Sequence, residues 1–183
     1  MNLYLIGYRG SGKSTVAPLV AQALSSSGPL WETVDADDAV EEIAGTSILE
    51  IFSKFGEAKF RELESKVVES LSVENQLVVS LGGGAPVIEV NRRRIQATGK
   101  SIWLRAEAEL LWERISVDHR SQQQRPNLTS SGGLDEVIQL LEDRNPIYAE
   151  CADFIVDIGR QRPQEIAGQI VEWALFNAAE SGW

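Results

Sequence analysis

The segment that most constrains this chain is a glycine-rich stretch near its amino terminus. Residues 7–15 read GYRGSGKST and match the pattern G-x-x-x-x-G-K-[ST]. The apolar residues 3–6 precede it as a short buried strand would, and apolar residues at helical spacing follow it over positions 16–24. Strand, loop and helix in this order predict a turn whose backbone N–H groups surround a polyphosphate at the amino end of the helix. The segment therefore predicts a site for a nucleoside triphosphate.

Six residues of this loop are predicted to contact the nucleotide: Gly10, Ser11, Gly12, Lys13, Ser14 and Thr15. Lys13 is expected to reach the β- and γ-phosphates and to act as a catalytic charge, while the Ser14 hydroxyl is expected to ligate Mg²⁺. The alternative is a glycine-rich turn from strand to helix that carries an incidental lysine. The matching register of strand, loop and helix favours the phosphate loop over this alternative.

The composition and charge of the chain narrow the classes of partner. With 183 residues, of which 43% are apolar and 24% charged, the chain has the composition of one globular domain spanning residues 1–183. No apolar run approaches the roughly 20 residues that a membrane span requires. A net charge of −10 argues against a nucleic-acid partner, because such binding relies on lysine and arginine at the phosphates. An anionic ligand must therefore be held by a few arginines focused into a cleft.

The number of cysteines helps to predict the cellular compartment of the protein. Cys151 is the only cysteine, which excludes an internal disulfide and a metal cluster of thiolates. We expect it to be a packing residue near the end of a helix. The first predicted strand begins so close to residue 1 that it leaves no room for a signal peptide. These observations predict a cytoplasmic protein.

Apolar runs alternate with helical patterns along the rest of the chain. Strands are predicted at residues 3–6, 31–34, 76–81, 101–104 and 154–156. Continuously apolar strands separated by helices are typical of a parallel sheet that is covered on both faces. The predicted fold class is therefore α/β with five parallel strands. In such sheets ligands bind beyond the carboxyl ends of the strands.

Residues 36–74 are expected to form a helical region that binds substrate. A short helix is predicted over residues 37–44 and ends at Gly45. Ser47, with a glutamate three residues later, forms a capping box that opens a second helix, which is predicted to end at Gly56. A long amphipathic helix follows.

Acidic residues stand at the end of the second predicted strand. Many phosphate-loop proteins carry a magnesium-orienting aspartate at the end of a strand paired to the first, but the third strand here ends in Ser80 without an acid. Asp35 is the best candidate to hold a water on Mg²⁺, and Asp37 could accept a proton from a substrate hydroxyl or orient it. The alternative is that both acids cap the helix that follows.

Two arginines are candidates for binding a carboxylate. Arg61 lies on the long helix with Glu64 one turn later, and the two could form a weak surface pair. Alternatively, Glu64 orients the guanidinium toward a substrate carboxylate, with Phe52 and Phe60 forming an apolar wall. Arg144 could supply the second half of this clamp, since two arginines on one carboxylate give directional charge-assisted hydrogen bonds.

Three consecutive glycines, Gly82, Gly83 and Gly84, follow the third strand. A flexible strand exit is the simplest interpretation. Three glycines in succession carry a cost in conformational entropy, however. A close approach of their backbone N–H groups to a ligand explains them better.

The polar, irregular stretch over residues 116–133 is predicted to be a lid that closes over the substrates. Closure excludes water, which would otherwise hydrolyse the triphosphate. Arg125, stiffened by Pro126, is the cation that we place on the transferring phosphoryl group. The alternative is a surface loop with incidental arginines. His119, the only histidine, is interpreted as a solvated lid residue and not as a catalyst.

Together these segments resemble the shikimate kinase family. The matching elements are GSGKST at 10–15, Asp35-Ala36-Asp37, Phe60-Arg61 with Glu64, SLGGG at 80–84, Arg125-Pro126, and Arg144 with Pro146 and Tyr148. They occur in the family's order over nearly the whole chain. The resemblance implies ATP-dependent phosphorylation of the shikimate 3-hydroxyl, on the route to chorismate and the aromatic amino acids. It also implies a phosphate-loop fold of the nucleoside-monophosphate-kinase type, with a substrate-binding helical region and a lid.

The resemblance further implies a role for each matching residue. Lys13 and Arg125 stabilise phosphoryl charge, Ser14 and Asp35 position Mg²⁺, and Asp37 contacts the acceptor hydroxyls. Residues implied to hold shikimate are Arg61, Gly83 and Arg144, and residues implied to border the adenine are Arg114 and Gln161. The implied partners are ATP and shikimate, with neither nucleic acid nor membrane, and the implied state is a monomer.

The chain departs from the family pattern at three places. Asn127 replaces an apolar lid residue, and the segment between Arg114 and Arg125 is longer than usual. Arg9 is not the common residue of the loop, and it either adds affinity for phosphate or faces solvent. The remaining alternatives are a kinase of the same fold that acts on gluconate or a nucleoside monophosphate, and a non-catalytic nucleotide-binding regulatory module.

Overall fold

A computed structural model of the chain describes residues 1–26, 28–117 and 132–181. The strands are β1 (Asn2–Ile6), β2 (Glu32–Asp35), β3 (Leu77–Ser80), β4 (Gly99–Arg105) and β5 (Phe154–Asp157). The α-helices are α1 (Lys13–Ser25), α2 (Ala36–Ala44), α3 (Ile48–Ser72), α4 (Glu89–Thr98), α5 (Ala108–Val117), α6 (Gly133–Cys151) and α7 (Pro163–Ser181). A short 3-10 helix spans Ala85–Val87. No helix in these ranges has the length and apolar character needed to cross a lipid bilayer.

The strands form one parallel sheet in the order β2-β3-β1-β4-β5. Leu5 of β1 lies opposite Ser80 of β3 on one side and Ile102 of β4 on the other. Asp35, the last residue of β2, also lies opposite Ser80. The loop that follows the central strand is therefore flanked by the ends of β3 and β2. The predicted α/β fold with five parallel strands is confirmed.

Helices cover both faces of this sheet. Tyr4 and Ile6 of β1 pack in a buried cluster with residues of α2, α3 and α4. Leu3 and Leu5 of the same strand pack on the opposite face with residues of α1 and α7. This alternation is the geometry of a strand, and each such fully buried side chain contributes about 1.5–3 kcal/mol. The core therefore holds β1 in place from both sides.

The helical region after β2 follows the predicted pattern. Gly45 ends α2 in the left-handed conformation, with a φ of 63°. Ser47 Oγ accepts a hydrogen bond from the Glu50 N–H at 3.3 Å, which confirms the cap of α3. The predicted stop at Gly56 is confirmed, because Gly56 has non-helical backbone angles (φ 78°, ψ 175°) and divides the range Ile48–Ser72 into two helices at a kink. Glycine allows this turn because it lacks the Cβ that disfavours positive φ.

Several element boundaries differ from the predicted ones. β3 begins at Leu77 and not at residue 76, because Gln76 has a positive φ of 61°. β4 is longer than predicted, since its residues 99–103 pair with the whole of β1 and its residues 102–105 pair with β5. The helix α4 was not predicted at all. Its buried residues are Asn91 and Ile95, so it shows no apolar periodicity.

Gly99, the first residue of β4, faces β1 so closely that no side chain fits there. A Cβ at this position would lie 2.7 Å from Tyr4 Cε2 and 2.9 Å from the carbonyl carbon of Asn2. We expect Gly99→Ala to lower the free energy of unfolding by about 2 kcal/mol, because β1 and β4 would have to move apart. Urea denaturation followed by circular dichroism measures this change.

Gly168→Ala in α7 is the matched control, because nothing lies within 4 Å of a Cβ added there. Alanine favours a helix over glycine by about 1 kcal/mol, so this variant should be at least as stable as the parent chain. Equal stability of the Gly99 and Gly168 variants would contradict the steric argument.

Candidate active site

The phosphate loop joins β1 to α1 and is packed against α5. Gly12 caps α1 in the left-handed conformation, with φ 87°. Gly10 also has a positive φ of 79°, and a Cβ there would lie 3.0 Å from Ile115 Cγ1 and 3.2 Å from the Leu111 carbonyl oxygen. Any larger residue at position 10 would push the loop away from α5. Glycine is required there by both the backbone conformation and the packing.

Lys13 is buried within the curve of this loop. Its Nζ donates to the carbonyl oxygens of Gly7 and Tyr8, each at 2.9 Å, and to Ser11 Oγ at 3.4 Å. These acceptors hold the ammonium group beside the first turn of α1, where the helix dipole is positive. The loop therefore places a fixed positive charge where an anionic ligand would lie.

A cleft of about 490 Å³ opens at the carboxyl ends of the strands. It brings together most of the predicted site residues: Gly10, Ser11, Gly12, Lys13, Ser14, Thr15, Asp35, Asp37, Gly82, Gly83, Arg114 and Gln161. Phosphate loop, strand-end acids and glycines thus meet in one space. Five predicted acceptor-site residues are not part of its lining: Phe52, Phe60, Arg61, Gly84 and Arg144.

Ser14 and Asp35 supply hard oxygen atoms on the same side of this cleft. Ser14 Oγ lies 3.2 Å from Ser80 Oγ, and Asp35 Oδ1 accepts a hydrogen bond from the Asp37 N–H at 3.0 Å. Asp35 therefore caps α2, as the alternative interpretation proposed, through one of its two carboxylate oxygens. Among the described residues, no three His, Cys, Asp or Glu side chains form a metal cluster. Mg²⁺ is usually held by one or two carboxylates plus substrate phosphates, so this donor set fits the ion.

Gly84 is explained by a contact within the chain. Its φ of −92° is open to any residue, so conformation does not require glycine here. A Cβ would lie 2.5 Å from Arg61 Cζ and 2.7 Å from Arg61 Nη2. The close approach that we expected from a ligand is therefore made, at Gly84, by the Arg61 guanidinium.

Arg61 is held by two carboxylates on its own helix. Its Nη1 donates to Glu64 Oε2 at 2.8 Å, while Nε and Nη2 donate to Glu57 Oε1 at 3.1 and 3.0 Å. Arg61 is 19% exposed and Glu64 is 1% exposed, so this is not a solvated surface pair. Burial lowers the pKa of the guanidinium, but Glu64 and Glu57 outweigh it and raise that pKa above its ordinary value. Glu57 was not predicted, although its i,i+4 spacing from Arg61 is a recognisable signal.

The two predicted wall residues differ in position. The rings of Phe52 and Phe60 have centroids 4.9 Å apart. Phe52 is partly buried, whereas Phe60 is fully buried, and its ring centroid lies 5.2 Å from Arg61 Cζ. Phe60 therefore supports Arg61 and Phe52 from the core side.

Arg144 lies on α6 beside the phosphate loop. Its Cζ is 5.6 Å from the centre of the Tyr8 ring. One turn further along, the Tyr148 hydroxyl donates to the Gly83 carbonyl at 2.5 Å. Burial raises the pKa of that hydroxyl to about 12, although the charge of Arg144 acts in the opposite direction. Residues 82–84 thus contact Arg61 directly and the helix of Arg144 through Tyr148.

Arg114 and Gln161 mark the far end of the cleft. Arg114 Nη1 donates to the Gly10 carbonyl at 3.4 Å and Nη2 donates to the Gly159 carbonyl at 3.3 Å. Gln161 Nε2 donates to the Asp157 carbonyl at 2.7 Å. Arg114 therefore connects the phosphate loop with the segment after β5, and Gln161 binds the last residue of β5.

Several predicted residues lie outside the described part of the chain: His119, Arg125, Pro126 and Asn127. The same holds for most of the predicted lid at 116–133, so these assignments stay predictions. Arg9 was expected either to face solvent or to bind phosphate. Its Nη2 donates to Glu136 Oε1 of α6 at 3.1 Å, and Arg9 also lines the cleft, so a contact with phosphate stays a prediction. No sequence pattern connects two residues so far apart.

Known proteins that are similar to this chain agree with the arrangement of the phosphate loop and the strand ends described above. The shikimate kinase family model matches residues 9–175. The chain belongs to the shikimate kinase family. As a member of it, the chain is an ATP-dependent phosphotransferase. It is 39% identical over 173 residues to a shikimate kinase from Rhodopirellula baltica, an alignment that covers 94% of this chain and 90% of the relative.

Solved structures extend this comparison. A shikimate kinase from Acinetobacter baumannii in complex with shikimate superposes with a TM-score of 0.87 and 31% identity, covering 96% of this chain and 93% of that one. An APS kinase from Mycobacterium tuberculosis has a TM-score of 0.58 and 13% identity, covering 94% of this chain and 96% of that one. At that identity only the fold is shared.

The raised pKa of Tyr148 predicts a dependence of stability on pH. The folded chain holds this proton more tightly than the unfolded chain, since the pKa is about 12 against an ordinary value of 10.0. Its contribution is therefore complete below pH 10 and is lost as the pH rises toward 12. At about 1.4 kcal/mol for each tenfold change in proton affinity, the loss approaches about 3 kcal/mol.

Tyr148→Phe is the control, because it has no proton to lose. Urea denaturation at intervals between pH 9 and pH 12 should give a free energy of unfolding that falls more steeply for the parent chain than for the variant. Parallel curves would contradict the raised pKa.

Proposed function

We propose that this chain transfers the γ-phosphoryl group of ATP to the 3-hydroxyl of shikimate. The observation that carries the proposal is that the phosphate loop, Asp35 and Asp37 at and just after the end of β2, and residues 82–83 meet in one cleft of a shikimate kinase family member. The related structure from Acinetobacter baumannii, which holds shikimate, supports the choice of acceptor. The family also supports the wider role in aromatic amino-acid biosynthesis.

The nucleotide is proposed to lie along the phosphate loop. Backbone N–H groups and the amino end of α1 bind the phosphates, and the charge of Lys13 stabilises the negative charge that develops during transfer. Arg114 and Gln161 border the adenine. Arg125 is proposed to add a second cation at the transferring group.

Ser14 and Asp35 are the residues proposed to hold Mg²⁺. The ion would neutralise charge on the β- and γ-phosphates and orient them. Asp35 would act from the position that it holds as the cap of α2, where its carboxylate faces the cleft together with Ser14.

The acceptor is proposed to bind across the cleft from the triphosphate. Asp37 orients the 3-hydroxyl or takes its proton while the hydroxyl oxygen bonds to the γ-phosphorus and the bond to the β-γ bridging oxygen breaks, releasing ADP. Arg61 and Arg144 hold the carboxylate of shikimate, and the backbone of residues 82–84 lies between them. Phe52, supported by Phe60, covers the apolar side of the ring.

We also propose a domain organisation, a cellular compartment and an oligomeric state for the enzyme. We take residues 1–183 as a single kinase domain, with a substrate-binding region at 36–74 and a lid at 116–133. It acts as a cytoplasmic monomer on ATP and shikimate, without nucleic acid or membrane. The net charge of −10 and the single cysteine support this part of the proposal.

The choice of acceptor is tested by ADP release with shikimate, gluconate and nucleoside monophosphates in turn. We expect the release of ADP to depend on shikimate. We also expect its rate to be roughly 10³-fold lower in Lys13→Ala, because the phosphates lose the positive charge of Lys13. Faster turnover with gluconate or a nucleotide would replace the proposed acceptor. If no acceptor stimulates release, the chain is a binding module.

Arg61→Ala tests the carboxylate assignment. We expect the KM for shikimate to rise by about tenfold or more, because a charge-assisted bond is lost, while the KM for ATP stays within about twofold. Arg93→Ala is the control, since Arg93 forms a comparable i,i+4 pair with Glu89 on the exposed side of α4. A collapse of ATP binding in Arg61→Ala, with the fold intact by circular dichroism, would remove Arg61 from the acceptor site.

A further inference from the structure

Arg9 is a residue of the phosphate loop that has no role in the proposed mechanism. Its Nη2 donates to Glu136 Oε1 at 3.1 Å, and the two side chains are 16% and 0% exposed. Glu136 lies in the first turn of α6, 127 residues away along the chain. This ion pair connects the phosphate loop to the beginning of α6.

Tyr8 makes a second connection to the same helix. Its side chain is 2% exposed and belongs to a buried cluster with Val137 and Leu141 of α6. The guanidinium carbons of Arg9 and Arg144 lie 5.9 and 5.6 Å from the centre of its ring. At these distances a cation is attracted to the face of an aromatic ring. Tyr8 therefore contacts α6 in its middle, where Arg144 lies.

The contacting residues lie along one face of α6. Val137, Leu141, Arg144 and Tyr148 follow one another at intervals of four, three and four residues, which is the spacing of one helix face. Glu136 stands beside the first of them. The position of this face relative to the phosphate loop is therefore set by two residues of the loop itself.

We propose that Tyr8, Arg9 and Glu136 are positioning residues for Arg144, so that the phosphate loop sets where the carboxylate of the acceptor is held. This inference rests on the proposed function, in which Arg144 binds that carboxylate. In-line transfer requires a fixed distance between donor and acceptor, and a misplacement of about 1 Å is enough to slow it strongly. A rigid connection between the two sites supplies that fixed distance.

A direct contact with the triphosphate is the rival role for Arg9, because Arg9 also lines the cleft. The two roles affect different substrates. Loss of positioning raises the KM for shikimate, whereas loss of a phosphate contact raises the KM for ATP. A purely structural role would lower the melting temperature and change both KM values together. The experiment therefore measures kcat, both KM values and the melting temperature.

The paired variant Arg9→Met with Glu136→Leu removes both charges of the connection together, so that neither of the two is left buried without the other. We expect its KM for shikimate to rise by about tenfold and its KM for ATP to stay within about twofold. The control is Arg93→Met with Glu89→Leu, an exposed ion pair of 2.5 Å on α4, which should change neither KM. An unchanged KM for shikimate in the first variant, or an increase confined to ATP, would overturn the proposal.

The same paired substitution is then made in an Arg144→Met background. If the pair acts through Arg144, it should change the KM for shikimate there by less than about twofold. A similar increase in both backgrounds would mean that the pair acts on the acceptor independently, and the proposal would be wrong.

Tyr8→Leu and Tyr8→Phe test the second connection while leaving the ion pair in place, and they serve if the paired variant does not fold. Tyr8→Leu should have the higher KM for shikimate, because only Tyr8→Phe keeps the ring that attracts both cations. Equal KM values would overturn the role of the ring.

The Arg144→Met variant distinguishes failure of this inference from failure of the proposed function. If it leaves the KM for shikimate unchanged, the carboxylate assignment fails, and the positioning role fails with it. If it raises that KM while the paired Arg9 and Glu136 variant does not, only the positioning role fails.

Discussion

The backbone of the phosphate loop must stay curved so that its N–H groups converge on a polyanion, and the rest of the structure holds it in that shape. The loop leaves the central strand of the sheet, so its starting point is fixed by pairing on both sides. Gly10 packs directly on α5, and Lys13 binds the carbonyls of Gly7 and Tyr8 from within. A loop fixed in advance loses little conformational freedom when it binds phosphate, so its dipoles are already oriented for charge stabilisation.

Two anionic substrates are proposed to share this cleft in a chain whose net charge is −10. Attraction must therefore come from a few cations whose positions are well defined, because the overall field opposes binding. Arg61 is fixed by Glu57 and Glu64, and Arg144 lies over the ring of Tyr8. Guanidinium groups held in this way lose less side-chain entropy on binding a carboxylate than mobile ones would. The two acidic partners of Arg61 thus fix the position of its positive charge.

The features that could be predicted from the sequence are those whose signal is local. The phosphate loop, the cap at Ser47 and the alternation of strands and helices each depend on residues a few positions apart. The helix α4 was missed because its one buried apolar residue, Ile95, gives no period. The start of β3 was misplaced because the positive φ of Gln76 is not a property of its residue type. At Gly84 the predicted close approach was to a ligand, whereas the neighbour that the structure shows is the Arg61 side chain, which is 23 residues away along the chain.

By itself, the sequence determined the order of the elements, the phosphate-binding turn and the kinds of polar group that gather at the strand ends. Each of these follows from spacing within a strand, a turn or a helix, where the backbone geometry is known in advance. Only the tertiary structure decided which distant side chains meet, as Arg9 meets Glu136 and Tyr148 meets Gly83. Such contacts depend on how helices pack on the sheet, and the energy of that packing is spread over many side chains that no single segment contains.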